Sequence, residues 1–422
     1  MTTKPVISRR GMVAALGVVA TGLAGCTTTG MPGTGSAGPT DSSVSHPTVV
    51  TDPIKDTTAA SEGIEEHSPS VAERTLSQMT LEEKVAQLFF VTPEGLTGVG
   101  TATVAGTMTK DALARIPVGG IIYFGKNLQS NQQARDLLSG TYAFAQAAGA
   151  GVPLFLGVDE EGGPLVARVA NSGLFDVTHF PNMAEIGATG DPDQAAYVGT
   201  TIGTYLKDIG FNVDFAPDAD VLTNPQNTAI GARSFSSDGA VAASMVASEV
   251  EAMLATGVLP CVKHFPGHGD TAGDSHTGAV YATRTREQIE SVEFAPFRAA
   301  IEAGCPFVMV GHIETPNFAA DDLPASLSPV MMTDVLRGQL GFTGVIVSDS
   351  FAMGAITQRY TPADAAVRFF QAGGDMLLMP DNLTAAYEGV LDAIQTGALT
   401  TERIDESVLR ILAAKERVGL IG

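Results

Sequence analysis

The sequence predicts an α/β protein built as one (β/α)8 TIM-type barrel, and three observations lead there. Eight short apolar runs bounded by turn residues alternate with segments patterned as helices. Four of the runs end on a charged or ionisable residue, the position at which such barrels carry their chemistry. The repeating units occupy residues 70–422 and leave none over for a second domain.

In chain order, Leu81 to Phe90 has apolar residues at helical spacing, with Thr80 and Glu83 placed as a capping box. Strand-like runs follow at Leu88 to Val91, Gly120 to Phe124, Leu154 to Val158, Phe211 to Phe215, Val258 to Val262, Phe307 to Val310, Val345 to Val347 and Met376 to Met379. Helical patterns lie at Asn131 to Ala148, Ala195 to Ile209, Ala240 to Thr256, Arg286 to Ala303 and Pro362 to Ala372, and Thr401 to Val418 closes the domain. A doubly wound open sheet is the competing fold, but eight strand-helix units in this length suit one closed barrel better.

The chain ahead of residue 70 is of another kind. Lys4, Arg9 and Arg10 precede an apolar stretch too short to span a bilayer, the pattern of an export signal over residues 1–25. Leu23-Ala24-Gly25-Cys26 resembles the lipobox of bacterial lipoproteins, which implies cleavage before Cys26, acylation of its thiol and anchoring to a membrane on the extracytoplasmic face. Ser8-Arg9-Arg10-Gly11-Met12 is also similar to a twin-arginine signal, so either export route stays open. Residues 26–69 are rich in Thr, Ser, Gly and Pro and read as a flexible tether. Loss of Lys4, Arg9 and Arg10 would take the net charge from -22 to -25. Such an acidic surface repels nucleic acid. Cys261 and Cys305 sit in or beside apolar runs with no spacing that suggests a staple, and read as two buried free thiols.

The chemistry concentrates in Lys263-His264-Phe265-Pro266-Gly267-His268-Gly269-Asp270-Thr271 and Asp274-Ser275-His276, which hold three of the seven histidines. A core seldom collects such a mixture, because each buried polar group needs a partner. Pro266, Gly267 and Gly269 place the cluster on a loop after the Val258 to Val262 strand. Asp159, His312 and Asp349 end other strands in the same way. Asp349 suits a nucleophile, a base, a metal ligand or a helix cap. Asp274, two residues before His276, is placed to fix the imidazole tautomer and raise its basicity. His264, His268, Asp274 and His276 also offer metal-ligand atoms, but their spacing matches no ligand motif and Lys263 would set a positive charge beside the cation. Neither a metal nor a cofactor is expected. Lys263, Arg233 and Asp159 suit a hydroxyl-rich ligand.

These segments together resemble glycoside hydrolase family 3, and within it the single-domain bacterial β-N-acetylglucosaminidases. Met79 to Leu88 is similar to the family's opening helix, Asp159-Glu160-Glu161-Gly162-Gly163 to its sugar-binding loop, Ile230 to Phe235 to a further binding segment, and Ser348-Asp349 to its nucleophile position. The histidine-rich stretch is the most specific element, since it separates this branch from β-glucosidases whose acid/base carboxylate comes from an additional domain. The resemblance implies Asp349 as nucleophile, His276 as acid/base and Asp274 as its partner. It implies Asp159, Arg168, Arg233, Lys263 and His264 as ligands of an N-acetylglucosamine ring. Arg168 stands nine residues after Asp159 where the family has eight, as though a residue were inserted near Pro164-Leu165.

The implied activity is that of a retaining exo-β-N-acetylhexosaminidase acting on GlcNAc-containing muropeptides or oligosaccharides, as a monomer tethered to a membrane. An imidazole here replaces one of the two carboxylates that stand roughly 5 Å apart in other retaining enzymes. A phosphorylase or broader β-glucosidase on the same scaffold, and a sugar-binding lipoprotein, are the alternatives.

Overall fold

The computed structural model describes residues 68–273 and 278–422, so the signal, Cys26 and the first part of the tether lie outside the described residues. Eight parallel strands form one sheet: β1 (Phe89–Val91), β2 (Gly120–Tyr123), β3 (Phe155–Val158), β4 (Val213–Asp214), β5 (Leu259–Phe265), β6 (Phe307–Val310), β7 (Val345–Ser348) and β8 (Leu377–Leu378). They pair in the order β7-β6-β5-β4-β3-β2-β1-β8, and a bridge between Val347 and Met376 brings the two edges together. The barrel is thus nearly closed, as the strand-helix alternation predicts.

Aromatic side chains fill its interior. Phe90 packs on Phe155 and edge-on to Phe215, and Phe155 packs edge-on to Phe307, with ring centroids 6.4, 5.1 and 5.3 Å apart. A Cβ at Gly120 or Gly157 would stand 2.7 or 2.8 Å from the Phe90 ring, so those two glycines make room for it. At the N-terminal end of the strands, Lys415 is fully buried with its Nζ 2.6 Å from Gln87 Oε1 and 4.9 Å from the Phe155 centroid.

Most expected elements form close to their predicted bounds, including helices Asn131–Gln146, Pro192–Ile209, Gly239–Thr256, Pro362–Gln371 and Thr401–Arg417. Thr80 and Glu83 cap Leu81–Gln87 reciprocally. Arg286 to Ala303 is not one regular helix. It widens into a π turn at Ile289–Glu293 before continuing as Phe294–Glu302, where Pro296 has no N–H to give. Helix Leu383–Gln395, capped by Asn382, was not predicted. Its capping asparagine, which accepts from the Ala385 N–H at 3.0 Å, was the available signal. Cys261 and Cys305 are buried free thiols, and burial pushes both thiols up.

Candidate active site

Asp159, Lys263, His264 and Asp349 are delivered by the C-terminal ends of barrel strands, Arg168 by a hairpin after β3 and Arg233 by the 3-10 turn Gly231–Arg233. Val158 ends β3 and Asp159 follows it; Ser348 ends β7 and Asp349 follows, its N–H held 2.9 Å from the Val310 carbonyl of β6. Strand β5 departs from expectation. It runs through Phe265, so Lys263 and His264 belong to the strand and not to the loop beyond it. Its pairing with β6 steps from Val262↔Val308 to Phe265↔Val310, three residues against two. Such a bulge breaks strict alternation, and it allows the consecutive Lys263 and His264 both to line the same cavity.

That cavity has a volume of about 590 Å³ and takes in Asp159, Arg168, Arg233, Lys263, His264 and Asp349, every expected site residue among the described ones. Asp274 and His276 lie outside the described residues, as does Cys26. Arg168 reaches the cavity despite its shifted spacing. The hairpin of Glu160–Gly162 and Val166–Ala167 carries an irregular register between Glu160 and Gly162, and Arg168 N–H returns to the Asp159 carbonyl at 3.1 Å. The hairpin absorbs the additional residue.

One end of the cavity is a chain of alternating charges. Lys263 Nζ stands 2.9 Å from Asp159 Oδ1 and 2.7 Å from Glu161 Oε1. Arg233 grips Glu161 with two N–H groups at 2.8 and 2.7 Å and approaches Asp218 Oδ2 at 3.3 Å. Burial would raise the Glu161 carboxyl, but Arg233 and Lys263 outweigh it and pull it down to about 2. Burial and the neighbouring Asp220 charge push Asp218 up. Asp159 spends one oxygen on Lys263 and keeps the other for a ligand.

Asp220 organises the histidines. Its Oδ2 is 2.7 Å from His264 Nδ1, and its Oδ1 accepts from the backbone N–H groups of His264 at 3.3 Å and His268 at 2.5 Å. Burial would lower His264, yet the Asp220 carboxylate raises it above its ordinary value. His268 goes the other way, lowered chiefly by burial, and its Nδ1 meets Thr271 Oγ1 at 2.6 Å.

Gly269 lets this loop lie against Val221, whose carbonyl oxygen would stand 1.9 Å from an added Cβ. Asp349 accepts one bond, from the Ser350 N–H at 2.7 Å, through Oδ1. Burial raises its carboxyl, but the charges of His264 and His312 and the Ser350 bond hold it below the usual carboxylate range. The result is an ionised carboxylate with a free oxygen at the cavity. Met309, Met353 and Met379 supply apolar wall, Met379 with a φ of 49° that a long side chain seldom adopts.

Sequence reasoning passed over Asp218 and Asp220, and named Glu161 and His268 only as members of the sugar-binding loop and the histidine cluster. Asp218 and Asp220 come soon after the Phe211 to Phe215 run, so the strand-end rule that found Asp159 also covers them; Pro217 obscured the continuity. Among the described residues, Asp218, Asp220 and His264 are the grouping whose ligand atoms fall within 4.8 Å of one another. Asp220 is engaged by the His264 ring and by backbone N–H groups, whereas Asp218 Oδ2 is ion-paired with Arg233 at 3.3 Å but accepts no hydrogen bond.

Comparison with known proteins agrees with the barrel fold. The sequence pattern of the glycosyl hydrolase family 3 N-terminal domain matches residues 80–414. Beta-hexosaminidase A of Pseudoalteromonas piscicida is 35% identical over 332 residues, covering 73% of this chain and 55% of that protein. The chain therefore spans about half the length of that relative. The structure of a glycoside hydrolase family 3 beta-N-acetylglucosaminidase from Paenibacillus sp. str. FPU-7 superposes with a TM-score of 0.75 at 36% identity, over 81% of this chain and 63% of that one. Beta-N-acetylhexosaminidase from Beutenbergia cavernae superposes with a TM-score of 0.71 at 30% identity, over 80% of this chain and 99% of that one.

Proposed function

Because the chain belongs to glycosyl hydrolase family 3, we propose that it removes terminal N-acetylglucosamine from β-linked glycosides with retention of configuration. The observation that carries this reading is one cavity that holds a chain of alternating charges at one end and the ionised Asp349 at the rim of β7. Its relatives named beta-hexosaminidase and beta-N-acetylglucosaminidase support the choice of sugar.

In this reading Asp159, Arg168, Arg233, Lys263 and His264 hold the sugar hydroxyls. Lys263 donates, and the free oxygen of Asp159 accepts. Asp349 attacks the anomeric carbon as the bond to the leaving oxygen breaks, and His276 gives that oxygen its proton. Water then attacks the same carbon, loses a proton to His276 and releases Asp349. Asp274 orients His276 throughout. A neutral imidazole in the base role does not repel an anionic leaving group or acceptor as a carboxylate would. Cell-wall fragments such as GlcNAc-β-1,4-MurNAc, whose muramic acid bears a lactyl carboxylate, are therefore the substrates we favour. An acylated Cys26 would hold the enzyme, as a monomer, at the extracytoplasmic membrane surface, where such fragments arise.

Proton NMR of the first turnovers tests the stereochemistry. β-N-acetylglucosamine as the initial product is expected, and the α-anomer would rule out a covalent intermediate on Asp349.

A further inference from the structure

A second cavity, of about 620 Å³, opens beside the sugar pocket and shares Phe124, Arg168 and Met379 with it. A molecule reaching from one into the other passes these three side chains. The remaining wall includes Lys126, Pro164 and Leu165, the last two in the hairpin that holds the additional residue. Leu165 is 56% exposed and forms an apolar lip. Lys126 is half-exposed and sits 3.3 Å from Glu94, which is not part of the wall. Arg168 Nε is buried without a hydrogen-bond partner, a donor still available to a ligand. In a protein of net charge -22, two cations and no acidic residue line this cavity.

We propose that this cavity is the leaving-group subsite and that it selects aglycones bearing a carboxylate. The carboxylate meets Arg168 and Lys126, and an apolar portion of the same aglycone covers Phe124 and Leu165. The proposal rests on the N-acetylglucosaminidase reading above and adds to it a recognition element outside the sugar pocket. A lactyl carboxylate and the carboxylates of an attached peptide share this chemistry. The choice of substrates separates them.

The test measures kcat/KM of the full chain and of its Lys126→Glu and Leu165→Asp variants on three substrates. These are chitobiose, GlcNAc-β-1,4-MurNAc, and the same disaccharide carrying a peptide stem on the lactyl group. Both residues are at the surface and outside the sugar pocket, so the variants are expected to fold. Lys126→Glu should keep chitobiose turnover within about two-fold while losing about five-fold or more on an acidic substrate. Leu165→Asp, which removes apolar cover from any leaving group, should lose more on the acidic substrates than on chitobiose. Loss confined to the free lactyl form assigns the lactyl carboxylate, and loss on the peptide form assigns the stem. Equal losses on neutral and acidic substrates, or no loss on any, would overturn the subsite alone. No N-acetylglucosamine release from any substrate by the unaltered chain would overturn the underlying reading together with it.

Discussion

Asp220 is a short side chain that accepts three hydrogen bonds, two from backbone and one from the His264 ring, and so sets two histidines at once. Its influence on Asp349 is indirect. Asp220 favours the His264 imidazolium, and that cation helps keep the Asp349 carboxylate ionised. In the Asp220→Asn variant His264 loses its proton at a lower pH, and Asp349, deprived of the cation, gains its proton at a higher one. The acid limb of kcat/KM should therefore move upward in pH, with kcat/KM at neutral pH falling about 10- to 100-fold. A purely structural role would lower the plateau and leave the limb in place. At this scale Asp159, Lys263, His264 and Asp349 were legible because each ends or follows an apolar run. Asp220 was not, because its partners lie 44 and 48 residues away in β5 and the loop after it, and sequence spacing carries no trace of that approach.

Two bulged elements do most to shape the site. The β5 bulge sets Lys263 and His264 on one cavity, and the irregular hairpin returns Arg168 to it in spite of the inserted residue. Neither register shift is written in the apolar pattern, which marks where a strand lies but not where its ladder slips. Helices Pro192–Ile209 and Gly239–Thr256 show a different departure from pattern. Glu249 of the second faces Gly199 of the first, wholly buried, with both carboxylate oxygens unpartnered. Burial holds its carboxyl well above the ordinary value of 4.5, so the folded chain keeps a proton that the unfolded chain gives up. Stability should consequently decline by about 1.4 kcal/mol per pH unit as pH rises above the unfolded value toward the folded one. Glu249→Met should remove that slope, so its gain in urea midpoint over the parent is expected to be larger at pH 8 than at pH 5. An equal gain at both would mean that Glu249 does not titrate as its burial demands.

For the whole molecule, the (β/α)8 architecture was readable because eight apolar runs are interleaved with helical patterns, and the family match over residues 80–414 covers most of the same span. The seam that closes it was not readable. Asp375, just ahead of β8, accepts from the Ile346 N–H of β7 at 2.8 Å, from Ser407 at 2.7 Å and Arg410 at 2.9 Å, and also from Arg337. One buried carboxylate thus ties β7 to the final helix and to the segment Val330–Gln339. Asp375→Ala leaves partly buried guanidinium groups and the Ile346 N–H without their acceptor and should cost about 3 kcal/mol in denaturant unfolding. A loss below about 1 kcal/mol would place the closure elsewhere, since that is the scale of an exposed ion pair. The proposed reaction is hydrolysis of β-N-acetylglucosaminides at the barrel's charged mouth through Asp349. Its most direct test is product analysis with an aryl β-N-acetylglucosaminide, with and without phosphate, for the full chain and its Asp349→Ala variant. Free N-acetylglucosamine in both buffers, lost in the variant, is the predicted result. A sugar 1-phosphate as main product, or undiminished release by the variant, would contradict it.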